Sequence, residues 1–302
     1  MRERHVGSSG LIVSVVGVGC NNFGWRIDAE QSRRVVDAAL AAGITFFDTA
    51  ESYGGGESEV FLGRALAGRR DEVVIATKFG AGGGGDPPGG SAANIRRAID
   101  GSLDRLGTDY VDLYQYHRPD GVTPIEETLG ALDELVRAGK VRHVGSSNFS
   151  PEQVRAADAL ARGRGFSPFV SAQNEYSFLH REVEEELVPT LEELGLGLIP
   201  YFPLASGLLT GKYVRGEPAP SGTRLAARGV PADDATWSRV ETLQAFAEAR
   251  GLSLLDVAIG GLAAMPAVSS VIAGATSPEQ VRANAAAGEW VPSVEELAEL
   301  HG

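Results

Sequence analysis

The chain has 302 residues, 43% hydrophobic and 22% charged, enough apolar material for a full core and a length that suits one α/β barrel as a single domain, residues 1–302. With 27 Lys and Arg against 40 Asp and Glu, the net charge of −13 excludes a sequence-independent grip on nucleic acid or an anionic membrane surface. The one cysteine, Cys20, excludes an intrachain disulfide and a multi-cysteine metal site, and agrees with a reducing, cytoplasmic setting. In chain order, a basic start at 1–4 and an apolar run at 11–19 before Cys20 have the outline of a lipoprotein signal. Gly10 and Ser14 interrupt that run, so it reads as a hairpin arm followed by a buried strand. From there, β-branched runs alternate with amphipathic helical patterns, with strands expected at 13–18, 45–49, 73–77, 111–116, 141–146, 170–173, 196–200 and 269–272. This order predicts a parallel sheet closed into a (β/α)8 TIM barrel with an N-terminal β-hairpin.

Helix starts support the same count. Thr123-Pro-Ile-Glu126, Ser150-Pro-Glu-Gln153 and Ser277-Pro-Glu-Gln280 each offer an N-cap, a proline at the first helical position and a capping-box partner; Asp28 with Gln31 is similar. Two helical patterns, 234–249 and 253–264, separate the last two strands, so one is extra to the repeat. Ser293 with Glu296 then caps an extra C-terminal helix. The glycine-rich stretch 80–90 lacks the Gly-Lys-Ser/Thr ending of a phosphate-binding loop and reads as a rim loop. Gly17, Gly19 and Gly24 miss the dinucleotide fingerprint spacing.

In a parallel barrel, functional groups gather at the C-terminal strand ends. Asp48 and Tyr53 leave the second strand, Lys78 ends the third, and His117 ends the fourth. Singly, each reads as a turn residue, a solvated charge or a satisfied polar group; together at successive strand ends they form one coherent set. Reducing a carbonyl requires hydride at carbon and a proton at oxygen. Tyr53 can supply the proton, Lys78 is expected to lower its pKa, Asp48 to pair with Lys78, and His117 to hydrogen-bond the carbonyl oxygen.

At these residues, and along Phe46-Phe47-Asp48-Thr49-Ala50 and Gly145-Ser-Ser-Asn-Phe149 as far as Asn284, the sequence resembles the aldo-keto reductases over nearly its whole length. The resemblance implies a (β/α)8 barrel, NADPH-dependent reduction of aldehydes and ketones, and a catalytic tetrad at Asp48, Tyr53, Lys78 and His117. By the same resemblance Ser147, Asn148 and Gln173 face the nicotinamide carboxamide, and Tyr201 stacks on its ring. The pyrophosphate loop includes Pro203, Leu204 and Gly207, with Arg224 reaching the phosphates. The adenosine end involves Gly274, Thr276, Gln280 and Asn284. Many NADPH-binding members have Lys or Arg where this chain has Gly274 and Gln280, which leaves Arg282 as the nearest cation and NADH as a possible second cofactor.

Phe23, Trp25 and Phe149 are expected to form an apolar wall of the substrate pocket, with Arg118 and Tyr213 at its edge. His5, His143, His180 and His301 lack metal-ligand spacing, so no metal is expected. The partner is a small-molecule carbonyl compound, and the chain a monomer or weak homo-oligomer. Two rival readings stand beside this one. A cofactor-binding regulatory module is similar to the potassium-channel beta subunits, and a Schiff-base barrel would use Lys78 as nucleophile.

Overall fold

The computed structural model describes residues 1–81, 87–221, 223, 225–226 and 233–301. Two strands, β1 (Glu3–His5) and β2 (Ile12–Ser14), pair antiparallel as an N-terminal hairpin. Eight parallel strands follow: β3 (Val16–Gly19), β4 (Phe46–Asp48), β5 (Val74–Phe79), β6 (Val111–Tyr116), β7 (Val141–Ser147), β8 (Phe169–Gln173), β9 (Gly197–Leu198) and β10 (Val271–Gly274). β10 returns to lie beside β3. Backbone bonds from Leu198 N to Ala267 O (2.7 Å), Ser269 N to Leu198 O (2.8 Å) and Ile272 N to Pro200 O (3.2 Å) link the two ends and close the barrel.

The expected first strand, 13–18, is two strands in two sheets. Ser14 accounts for the break, because its hydroxyl donates to Val16 O (2.7 Å) and accepts from Thr45 N (3.1 Å), turning the chain between hairpin and barrel. The expected seventh strand keeps only Gly197–Leu198 in regular pairing. Pro200 has no N–H to continue a ladder.

The helices α1 (Ala29–Ala41), α2 (Glu57–Ala65), α3 (Ala92–Leu106), α4 (Ile125–Arg137), α5 (Pro151–Arg164) and α6 (Leu187–Leu194) follow β3, β4, β5, β6, β7 and β8 in turn. After β9 come α7 (Asp234–Glu248) and α8 (Leu254–Asp256), which runs on into a π-helical turn at Val257–Gly261; α9 (Pro278–Ala287) and α10 (Val294–His301) follow β10. A Cβ on Gly260 would lie 2.6 Å from Ala287 O, so α8 and its π-turn can approach the end of α9 this closely only with glycine there.

Ser150 forms a full capping box with Gln153, and Asp28 caps Gln31 N. Thr123 does not cap α4: its N–H (2.8 Å) and hydroxyl (2.7 Å) donate to Asp120, and Pro124 takes the cap position. Ser277 caps α9, but the Gln280 side chain turns to Thr276 N instead of closing the box.

Inside the barrel, Phe46, Ala76, Leu113, Ile199 and Ile272 pack with Val6, Leu11 and Val13 of the hairpin segment. The hairpin plugs the N-terminal end, where Arg4 donates to Ala263 O (2.7 Å) and Val268 O (2.8 Å). Apolar packing therefore fills the lower barrel, and the inward positions at the C-terminal strand ends are polar. Among the described residues, no helix is long and apolar enough to cross a membrane.

Candidate active site

Side chains alternate inward and outward along a strand, so residues two apart share a face. Phe46 and Asp48, Ala76 and Lys78, Leu113 and Gln115, and Ser171 and Gln173 are such pairs. The first member packs at or near the barrel centre and the second extends toward the C-terminal end. Asp48, Lys78, Gln115, Gln173 and Ser147 are all buried there.

Lys78 is fully enclosed, and each of its three donors is satisfied: Asp48 Oδ1 at 2.5 Å, Thr49 O at 2.9 Å and Tyr53 Oη at 3.4 Å. Burial alone pulls the Lys78 pKa down, but the Asp48 carboxylate and Tyr53 outweigh it and hold the ammonium above its ordinary value. A charged, paired lysine is the opposite of what Schiff-base chemistry requires.

The second oxygen of Asp48 accepts from two amides, Gln173 Nε2 at 2.8 Å and Gln115 Nε2 at 3.1 Å. Gln173 Nε2 also donates to Gln115 Oε1 at 3.3 Å. Because a carboxylate only accepts, both amide nitrogens must face Asp48. That orientation leaves Gln173 Oε1 as the atom this side chain can offer the cavity. Gln115 was not singled out from the sequence, although its position two residues before His117 on the inward face was a usable signal.

Tyr53 opens a tight turn, Tyr53–Gly56, with Gly54, Gly55 and Gly56 at φ of 58°, 66° and 98°. A Cβ on Gly54 would lie 2.8 Å from Phe23 O, so glycine is required by both space and dihedral. The turn brings the Tyr53 hydroxyl over Lys78 and sets the ring edge-on to His117, with centroids 5.9 Å apart. Contrary to the expected lowering, burial pushes the Tyr53 pKa above its ordinary value and Lys78 only partly offsets it. Tyr53 is therefore a protonated phenol across the neutral range. His117 is pulled down to about 3 by burial, with Lys78 and Arg118 adding to the effect, and is neutral at pH 7. Its Nδ1 is buried without a hydrogen-bond partner among the described residues.

A cavity of about 700 Å³ runs from Tyr53, His117 and Arg118 past Ser147, Asn148, Gln173 and Tyr201 to Gly274, Thr276, Gln280 and Asn284. Asp48, Pro203, Leu204 and Gly207 line it as well. Asn148, at φ 59°, donates to His117 O (2.9 Å) and Ser147 Oγ (3.0 Å) and accepts from Tyr201 Oη (2.8 Å). It is a brace between three strand ends and fixes the Tyr201 ring. In the loop after β9, Phe202, Ala205, Ser206 and Gly207 all have left-handed dihedrals. Such a run is strained for non-glycine residues and forms a concave backbone beside Lys212, which also lines the cavity. Arg224 lies outside the described residues, as does 82–86 of the glycine-rich stretch.

Four aromatic expectations for the pocket do not hold geometrically, since none of these side chains lines the cavity. Phe23 is buried, because the turn in which Phe23 N bonds Cys20 O (3.0 Å) directs the ring inward. Phe149 follows the left-handed Asn148 and packs edge-on against Tyr116 and Phe169, each at 5.7 Å. Trp25 is exposed outside the cavity, and Tyr213 is buried. Phe202 supplies the aromatic wall instead. Arg282 pairs with Glu279 at 2.8 Å and does not line the cavity; Arg26, on the loop after β3, does.

A (β/α)8 barrel with its polar side chains converging at the C-terminal mouth has the architecture of barrel enzymes. The chain belongs to the aldo/keto reductase family, whose model matches residues 15–302. It is 37% identical to a probable voltage-gated potassium channel subunit beta of Oryza sativa, over 97% of this chain and 92% of that one. It is 38% identical to an uncharacterized oxidoreductase of Bacillus subtilis, over 93% and 89%, and 36% identical to the L-glyceraldehyde 3-phosphate reductase of Escherichia coli, over 99% and 91%.

Proposed function

We propose that this chain is a carbonyl reductase that uses NADPH, with NADH as a weaker alternative, to convert aldehydes or ketones to alcohols. The observation that carries the reading is the enclosed Lys78, bonded to Asp48, Thr49 O and Tyr53 Oη beside the cavity. Family membership and the oxidoreductases among the relatives support it.

The residues present fit a dinucleotide. Gln173 Oε1 would accept from the carboxamide N–H, Tyr201 would flank the ring, and the left-handed loop with Lys212 would hold the phosphates. Arg26 and the start of α9 would take the adenosine end. A reduced nicotinamide, when bound, supplies hydride to the carbonyl carbon. Tyr53 holds the proton for the carbonyl oxygen. As that proton leaves, the Lys78 ammonium stabilises the developing phenolate, and Asp48 keeps Lys78 charged and in place. Neutral His117 can hydrogen-bond the same oxygen without adding charge.

The test is oxidation of NADPH by the purified protein with an activated aromatic aldehyde, repeated with NADH. Turnover supports the reading. Tight NADPH binding without turnover of any aldehyde favours the second reading, a nicotinamide-dependent regulatory module, which the plant relatives named as channel subunits bring into play.

A further inference from the structure

The cavity is cationic in an acidic protein. Its lining contains Arg26, Arg118 and Lys212, and its only carboxylate among the described residues is Asp48, which is buried and saturated by Lys78 and two amides. Lys212 belongs to the loop after β9 and lies over the Tyr213 ring. Arg26 is on the β3 loop, which is tied to the β10 loop where Asn22 Nδ2 donates to Ala275 O (3.3 Å). Both therefore serve the side of the cavity suited to a dinucleotide.

Arg118 is placed differently. It directly follows His117 at the end of β6, and its charge is felt by both His117 and Tyr201. With 40 acidic residues in the chain, arginines such as Arg70, Arg105, Arg181 and Arg250 all meet carboxylates. Arg118 is exposed at the cavity mouth and has neither an ion pair nor a hydrogen bond among the described residues. A guanidinium left unpaired beside the reacting groups is free to take two oxygens of an anion in a bidentate contact.

We propose that the substrate is an anionic carbonyl compound whose oxyanion, a carboxylate or a phosphate, pairs with Arg118 while its carbonyl oxygen meets Tyr53 and His117. This rests on the carbonyl-reductase reading above. Such a substrate is distinguished from its neutral analogue by a charge-assisted contact, which corresponds to about tenfold or more in kcat/KM.

The experiment compares 4-carboxybenzaldehyde with its methyl ester, and 4-formylphenyl phosphate with 4-methoxybenzaldehyde, in the parent and in Arg118→Leu. The pair with the larger ratio identifies the oxyanion. Calorimetric binding of 4-(hydroxymethyl)benzoate and of the matching benzamide to the NADP⁺-loaded protein gives a readout that needs no turnover. The expected result is an anion preference of about tenfold in the parent, collapsing toward unity in the variant in both assays. Equal handling of charged and neutral members by the parent overturns the proposal. So does an Arg118→Leu defect that weakens NADPH binding and acts equally on both members. Arg118-dependent binding of the benzoate without reduction of any aldehyde upholds the anion site and rejects the reductase reading instead.

Discussion

Replacing Gln115 by Leu removes one hydrogen bond to Asp48 and the acceptor that holds Gln173, with little change in side-chain volume. Gln115 is opposite Lys78 in the register of β5 and β6 and has no solvent exposure, so water cannot replace what is lost. A hydrogen bond to a charged group is worth about 1.5–3 kcal/mol, and the 3.1 Å contact belongs at the lower end of that range. One N–H of Gln173 is left unpaired in a buried site, about 1 kcal/mol more, partly offset by the apolar side chain introduced. The expected net loss is about 2 kcal/mol in urea unfolding, with an unchanged denaturant slope. Gln173 also keeps only its bond to Asp48 and loses the second contact that fixes its amide plane, so NADPH affinity, followed by quenching of its fluorescence, is expected to fall about fivefold, equivalent to about 1 kcal/mol. Unfolding within about 0.5 kcal/mol of the parent together with undiminished NADPH affinity would refute the reasoning.

Two further perturbations follow from the site. His117, with its pKa at about 3, binds fewer protons folded than unfolded between that value and about 6.5. Its contribution is therefore present above about pH 6.5 and is lost as the pH falls; between about pH 7 and pH 5 the parent should lose about 2 kcal/mol more than His117→Asn, measured by urea midpoints at both values. Gly54→Ala forces a Cβ to 2.8 Å from Phe23 O at a φ of 58°, and should cost about 2 kcal/mol of stability and lower turnover by displacing Tyr53; a thermal midpoint equal to the parent's would contradict this.

Much of the site was legible because barrel geometry couples two simple patterns. Strand alternation and the position of strand ends together place Asp48, Lys78 and His117 around one mouth, without knowledge of any loop, and the family resemblance adds Ser147 and Gln173 at the ends of the next two strands. What escaped was set by backbone curvature in those loops. The left-handed dihedral of Asn148 turns Phe149 into the core, and the turn after Cys20 does the same to Phe23, so adjacency to a motif was a poor guide to facing the cavity. Arg26 reaches the cavity from an irregular loop, whereas Arg282, one helical turn from a motif, is drawn to Glu279. The direction of the Tyr53 shift was illegible for another reason: it depends on whether burial or the neighbouring ammonium dominates, which is a matter of depth and not of residue type. Splitting of the first expected strand depended on one serine hydroxyl whose partners come from a distant strand.

The most direct test of the account is a single turnover of protein-bound NADPH mixed with an aldehyde, in the parent and in Tyr53→Phe. The account predicts equal NADPH affinity in the two proteins, one alcohol formed per NADPH consumed by the parent, and hydride loss slowed by about 10²- to 10⁴-fold in the variant, the range for a lost general acid. Equal rates in parent and variant would contradict it.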